Sequence, residues 1–244
     1  MNDWFKEIEA HSELPPDAVE KLLESGFVVI PGPVASGRLA QLARAYDSAV
    51  ARAEPAHVSV GSTSTRVHDF VNRGPEFDEL YTFRPILDAC CRVIGRPFKL
   101  SSLLARTVRP LSQAQPLHVD FRADACGWPM LGFIIMIDDF RRDNGATRFV
   151  PGSHKWPTIP GEVLEDPAAD HECQVVACGA AGSVIVYNGS VWHGHTANRS
   201  GAPRRSIQGA YIRRDAQSAT NQAARILPQT RARIAPLAEY LLDI

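Results

Sequence analysis

In the first hundred positions apolar residues recur at helical intervals, whereas beyond about Lys99 they gather in short runs separated by Gly, Pro, Asn and Asp. The run Pro15-Pro-Asp-Ala-Val-Glu-Lys-Leu-Leu-Glu-Ser-Gly26 has Pro and an acid in its first turn and Gly just past its last apolar pair, which predicts a short amphipathic helix. Phe27-Val-Val-Ile30, cut off by Pro31-Gly-Pro33, reads as a buried strand. A second helix is expected from about Ala35 to Ala53, where Leu39, Leu42, Ala43, Tyr46 and Val50 share a face, and a third from about Pro85 to a stop at Gly95. After that the β-rich runs fall at 100–109, 117–121, 131–138, 147–150, 173–177, 183–187 and 205–213. Short strands at fairly regular spacing with turn chemistry between them predict a mainly β fold of the sandwich or jelly-roll type with flanking N-terminal helices. One domain is expected: a helix-rich buttress over 1–98, a core over 99–214 and a tail over 215–244, polar and helical to about 232. The Pro/Gly/Asp-rich stretch 157–170 reads as a surface loop.

Charge narrows the partners. A formal net charge of -1 over 244 residues gives no basic field to draw in nucleic acid or an anionic membrane, so a small molecule is the expected partner. Five cysteines without a C-x-x-C spacing, and no apolar leader at the start, fit a reducing cytoplasm. The longest apolar stretch, Met130 to Ile137, is far shorter than the roughly 20 residues a spanning helix needs. Oligomeric state is not legible.

The candidate chemistry lies in His118-Val-Asp120. In an extended strand alternate side chains share a face, so both can reach one metal ion. A third ligand is available from Val-Trp-His193-Gly-His195, which follows the strand-like run Gly182-Ser-Val-Ile-Val-Tyr187. Two imidazoles and one carboxylate on one side of an ion make the open facial arrangement of non-haem Fe(II) oxygenases. His195 would share a face with His193 and is its rival, and of the neighbours Arg204 and Arg205 only one can point inward.

Three blocks occur in a telling order: Gln115-Pro-Leu-His-Val-Asp120, Asp143-Asn-Gly-Ala-Thr-Arg-Phe-Val-Pro-Gly-Ser-His154, and Val191-Trp-His-Gly-His-Thr-Ala-Asn-Arg-Ser200 followed by Arg204-Arg205. Together they resemble the phytanoyl-CoA dioxygenase family of Fe(II)/2-oxoglutarate-dependent oxygenases, over nearly the whole chain. The resemblance implies a double-stranded β-helix of the jelly-roll or cupin type, with His118, Asp120 and His193 as ligands to Fe(II). It places the cation for the far carboxylate of 2-oxoglutarate at Arg204, eleven residues past His193, with Thr147 and Gln115 as further contacts to that cosubstrate. O2 is the other cosubstrate, and the implied reaction hydroxylates an unactivated C–H bond while 2-oxoglutarate yields succinate and CO2. Because Asp120 is retained where related halogenases carry a small residue, hydroxylation is favoured over halogenation; desaturation, epoxidation and rearrangement use the same triad.

The family spans acyl-CoA and compatible-solute hydroxylases and tailoring enzymes of secondary metabolism. Without a basic patch for a nucleotide, a tailoring oxygenase acting on a small metabolite is the expectation. Candidate substrate contacts are Arg66, His68, Phe121, Arg122, Trp128 and His195, with Arg66 or Arg122 suited to bind an acid group. Two other readings stand beside this one. A cupin-fold metal oxygenase that does not use 2-oxoglutarate gives Arg204 no role, and a non-catalytic binding protein of the same fold leaves a complete ligand set unexplained.

Overall fold

The computed structural model describes residues 3–244. Five helices, α1 (Trp4–Ala10), α2 (Pro16–Ser25), α3 (Leu39–Ala51), α4 (Asp78–Tyr81) and α5 (Arg84–Val93), share the N-terminal part with strands β1 (Phe27–Ile30), β2 (Val58–Val60) and β3 (Ser64–Val67). The remaining strands are β4 (Phe98–Val108), β5 (Met130–Met136), β6 (Thr147–Phe149), β7 (Val175–Val176), β8 (Val184–Asn188), β9 (His193–His195) and β10 (Arg204–Arg213). A four-residue helix, α6 (Pro160–Val163), interrupts the long loop, and α7 (Gln222–Arg225), α8 (Pro228–Arg233) and α9 (Pro236–Leu242) close the chain.

The strands form a seven-stranded antiparallel sheet, ordered β1-β8-β5-β10-β4-β3-β2, facing a three-stranded sheet ordered β7-β6-β9. This is the expected jelly roll. Helices cover the outer face of the larger sheet, and one apolar cluster runs continuously from Ile8 through α5 and the sheet to Leu242. A second cluster, with Phe27, Ile134, Phe149 and Tyr187, fills the space between the sheets. Every residue of β5 is therefore buried, because both of its faces are covered.

α2 and β1 lie where the pattern predicts, joined by Gly26 at φ 84°. A Cβ there would stand 2.6 Å from His154 Nδ1, so both the left-handed turn and the close approach call for glycine. The 117–121 run departs from expectation. It forms no regular strand, only an isolated bridge between His118 and His193, because Pro116 offers no N–H and the carbonyl of Gly189 accepts from both Asp120 N and Phe121 N. The tail is more ordered than its polarity suggests, since α9 buries Ala238, Leu241 and Leu242 against the core. Among the described residues no helix is long and apolar enough to cross a membrane.

Candidate metal centre and its cavity

His118 and His193 exchange two backbone hydrogen bonds of 2.9 Å, which fixes their rings side by side with centroids 4.3 Å apart. Asp120 follows on the same face. His118 Nε2 lies 3.7 Å from Asp120 Oδ1, and His193 Nε2 lies 3.5 Å from Asp120 Oδ2. One ligand atom from each of the three falls within 4.8 Å of the others, the spacing of donors around a single ion.

Tautomers follow from the neighbours. His118 Nδ1 is 3.0 Å from the Pro116 carbonyl and His193 Nδ1 is 2.9 Å from the Val191 carbonyl. A carbonyl only accepts, so each Nδ1 carries the proton and each Nε2 turns a lone pair toward Asp120. Burial, reinforced by the adjacent His193, pulls the His118 imidazole down to about 4, which keeps it neutral and available to a cation at ordinary pH. The donor set suits Fe(II).

Aromatic packing sets the His193 ring. Phe149 stacks on it at 5.8 Å, with Phe27 stacked on Phe149 at 4.3 Å, and Tyr187, 5.6 Å from Phe149, packs on it at 4.8 Å. The Tyr187 hydroxyl donates to Asp120 Oδ2 at 2.9 Å. Its ring has room because its partner across the sheet is Gly132, where a Cβ would lie 2.2 Å from the ring.

The three groups open onto a cavity of about 350 Å³ between the sheets. Gln115, Thr147 and His195 lie on its wall, and Arg66, His68 and Phe121 also line it. A family profile described as phytanoyl-CoA dioxygenase matches residues 22–206. The chain belongs to the phytanoyl-CoA dioxygenase family. Members of that family use Fe(II), 2-oxoglutarate and O2. Among relatives, the dioxygenase cdmA of Talaromyces verruculosus is 36% identical over 108 residues. That match takes in 41% of this chain and 35% of cdmA, so it spans about a third of the relative. The epimerase SnoN, solved with Fe3+, alpha ketoglutarate and nogalamycin RO, superposes with a TM-score of 0.66 at 20% identity, covering 87% of this chain and 89% of SnoN. HygX from Streptomyces hygroscopicus, solved with nickel and 2-oxoglutarate, gives 0.66 at 16% identity, with 84% and 89% covered. These two structures share the fold.

Within this phytanoyl-CoA dioxygenase fold the predicted residues separate into three groups. The triad, Gln115, Thr147, Arg66, His68, Phe121 and His195 meet at the cavity. Both ring nitrogens of His195 are engaged, Nδ1 donating to the Thr196 carbonyl and Nε2 accepting from the Thr63 hydroxyl, each at 2.8 Å. Arg204 lies just behind the wall, 1% exposed, stacked over Phe140 at 4.1 Å; its Nε and Nη2 donate to the Gly145 carbonyl and its Nη1 to Ser206 Oγ. Arg205 points the other way into ion pairs with Asp138 at 2.6 Å and Asp47 at 2.7 Å. Arg122 and Trp128 lie apart from this cavity. They line a second cavity, of about 630 Å³, which Val119 of the metal-site segment also lines. There Arg122 pairs with Glu162 and Trp128 Nε1 donates to the His154 carbonyl at 3.3 Å.

Sequence reasoning missed Tyr187 and Arg106. Arg106 is 8% exposed on the cavity wall, donating from Nε to Ser64 Oγ at 3.2 Å and from Nη2 to Gln115 Oε1 at 2.8 Å. A lone arginine inside the apolar run Leu103 to Val108 was the available signal.

Proposed function

We propose that this chain is a dioxygenase that hydroxylates an unactivated C–H bond of a small metabolite, with Fe(II) held by His118, Asp120 and His193. The observation that carries the reading is the mutual placement of three donors on the wall of one cavity, with both Nε2 lone pairs free. Fe(II) and 2-oxoglutarate, when bound, supply the oxidising chemistry, with O2 as oxidant and succinate and CO2 as coproducts.

The residues divide the remaining work. Tyr187 holds one oxygen of Asp120 at a fixed angle, which directs the other toward the ion and keeps the carboxylate from spreading over positions that cosubstrate and oxygen need. Arg204 is the cation for the distal carboxylate of 2-oxoglutarate. A guanidinium has five N–H donors, and three of those on Arg204 are spent on Gly145 and Ser206, so one hydrogen on each Nη remains for a bidentate fork. Thr147 and Gln115, on the wall, add hydrogen bonds to the same molecule. Apolar Leu104, Met130, Ile134 and Ile212 line the rest and exclude water from the reacting carbon. Asp120 fills the space a halide would take, so an alcohol is the expected product.

The test is an anaerobic titration of metal-free protein with Fe(II) and then 2-oxoglutarate, followed by the visible charge-transfer band of the chelate. A band that needs both, and is lost in Arg204→Ala at the same 2-oxoglutarate concentration, is the expected result. Iron that binds with no band at saturating 2-oxoglutarate would overturn the reading in favour of an oxygenase that chelates its substrate directly.

A further inference from the structure

Arg66 and Arg106 face each other as register partners across the antiparallel pair β3/β4, and both line the cavity. Like charges directly opposite on a sheet repel, and a buried guanidinium is costly unless an anion answers it. Here none does. Among the described residues no carboxylate lies within 4.0 Å of either side chain. Asp69, close to Arg66 in sequence, accepts from the Asn72 amide at 2.9 Å, and Asp139 accepts from Ala181 N at 2.8 Å. The carboxylate whose charge reaches Arg106 is Asp120, which the proposed function commits to the metal.

We propose that Arg66 and Arg106 form an anion subsite that binds a carboxylate carried by the substrate. The inference rests on the proposed function for its charge count. With Fe(II), Asp120, the two carboxylates of 2-oxoglutarate and Arg204 in place, the charges around the iron cancel, and Arg66 and Arg106 are left over. Burial draws Arg106 down to about 10, still well above neutrality, so it stays a cation at ordinary pH. Geometry leaves them donors to spare. Arg106 uses Nε and one Nη2 hydrogen on Ser64 and Gln115, which orients the guanidinium, and its other three N–H groups are uncommitted. The Arg66 side chain makes no hydrogen bond to another described residue, so its full fork is free. His68, on the same wall, has its imidazole lowered by burial and by Arg66, and adds no competing positive charge. Arg122, the other arginine that the sequence offered for an acid group, is neutralised by Glu162 on the second cavity and takes no part.

The experiment uses graded monocarboxylates and their neutral isosteres as probes: cyclohexanecarboxylate, benzoate and 1-naphthoate, each against its primary amide. Binding is measured by calorimetry to the Fe(II)/2-oxoglutarate-loaded protein and to the metal-free protein. At least one acid should bind ten-fold or more tighter than its amide. Arg66→Gln and Arg106→Gln should each bring that acid to the affinity of the amide, while Arg122→Gln leaves the preference intact and Arg66→Gln changes the 2-oxoglutarate half-saturation by less than two-fold. Acids that bind no better than amides, or no acid binding at all, overturn the subsite. So does an Arg66→Gln protein whose defect is in 2-oxoglutarate binding, which would assign the pair to the cosubstrate. The two readings fail separately: loss of the charge-transfer band with a persisting Arg66-dependent acid preference removes the cosubstrate assignment alone, and a normal band without that preference removes the subsite alone.

Discussion

Tyr187 donates its hydroxyl to Asp120 Oδ2 at 2.9 Å, from a strand position whose cross-sheet partner is Gly132. The tyrosine is buried, and burial beside a carboxylate raises its hydroxyl well above the usual phenol range, so it serves only as a donor. Removing the donor frees the carboxylate to rotate. Tyr187→Phe is therefore expected to weaken Fe(II) binding by about 10- to 100-fold, the scale of lost contacts to metal ligands. The ring still fills its place, so stability should fall by no more than about 1.5 kcal/mol. Anaerobic metal titration beside urea unfolding separates the two effects, and undiminished Fe(II) affinity would show that Asp120 is oriented by its backbone alone.

His193 and His195 stand two apart in β9, yet their ring nitrogens keep different company. His193 Nε2 faces Asp120 at 3.5 Å, whereas His195 Nε2 is taken by Thr63. His193→Ala should abolish measurable Fe(II) binding, and His195→Ala should leave it within about three-fold of the parent, since losing a ligand costs more than losing a neighbour. Equilibrium dialysis of both variants decides it. Iron retained by the first and lost by the second would reverse the ligand assignment.

Arg204 and Arg205 give an equally sharp contrast. A charge-assisted pair is worth about 1.5–3 kcal/mol, so Arg204→Ala should raise the 2-oxoglutarate half-saturation by roughly 10- to 100-fold. Arg205→Ala gives up its pairs with Asp138 and Asp47 on the outer face, and should leave that half-saturation unchanged. Equal effects would remove Arg204 from the cosubstrate site.

Much of this site was legible because strand periodicity is strict. Two-residue spacing put His118 with Asp120 and turned Arg205 away from Arg204, and the structure keeps both relations. What periodicity does not carry is the path of a loop. Trp128 is only eight positions past Asp120, but the turn at Asp124 and Gly127 takes it to the second cavity, with Val119 rather than with the metal site. Arg106 and Tyr187 were hidden for another reason. Each sits in a run whose apolar neighbours mark it as core, and only the cross-strand partners, Arg66 and Gly132, reveal that those positions face the cavity. β2, three residues long, was too short to read, and polar β3 left no alternation.

Arg148 is completely buried and ties the loop after α6 to the site. It donates to the carbonyls of Ala169 at 2.7 Å, Ala168 at 3.0 Å and Gln115 at 3.1 Å, and to Gln174 Oε1 at 3.0 Å. Methionine is similar in length but leaves these acceptors without a donor, and each such loss costs roughly 1–3 kcal/mol. Arg148→Met should destabilise the protein by at least about 3 kcal/mol, a fall in Tm on the order of 6–12 °C for a chain of this size. Because Gln115 loses its anchor, the 2-oxoglutarate half-saturation should rise as well. A stable variant with an unchanged half-saturation would show that the loop is held by other contacts.

The buried imidazole of His195 makes the stability of the metal-free protein depend on pH in a definite direction. Burial holds its folded value at about 3, while an unfolded histidine titrates near ~6.5. Above that unfolded value neither state carries a proton at this residue, and its full contribution is present. As pH falls, the unfolded chain takes up a proton that the folded chain refuses, so stability is lost progressively until pH passes the folded value. At about 1.4 kcal/mol per pH unit, the loss from this residue at pH 5 is about 2 kcal/mol. His118, lowered to about 4 by burial and by His193, acts with the same sign. His195→Gln removes one of these titrations and keeps a side chain able to meet Thr63. The parent should lose about 2 kcal/mol more than His195→Gln between pH 7 and pH 5 in urea unfolding, and parallel pH profiles would mean that the folded protein protonates His195 freely.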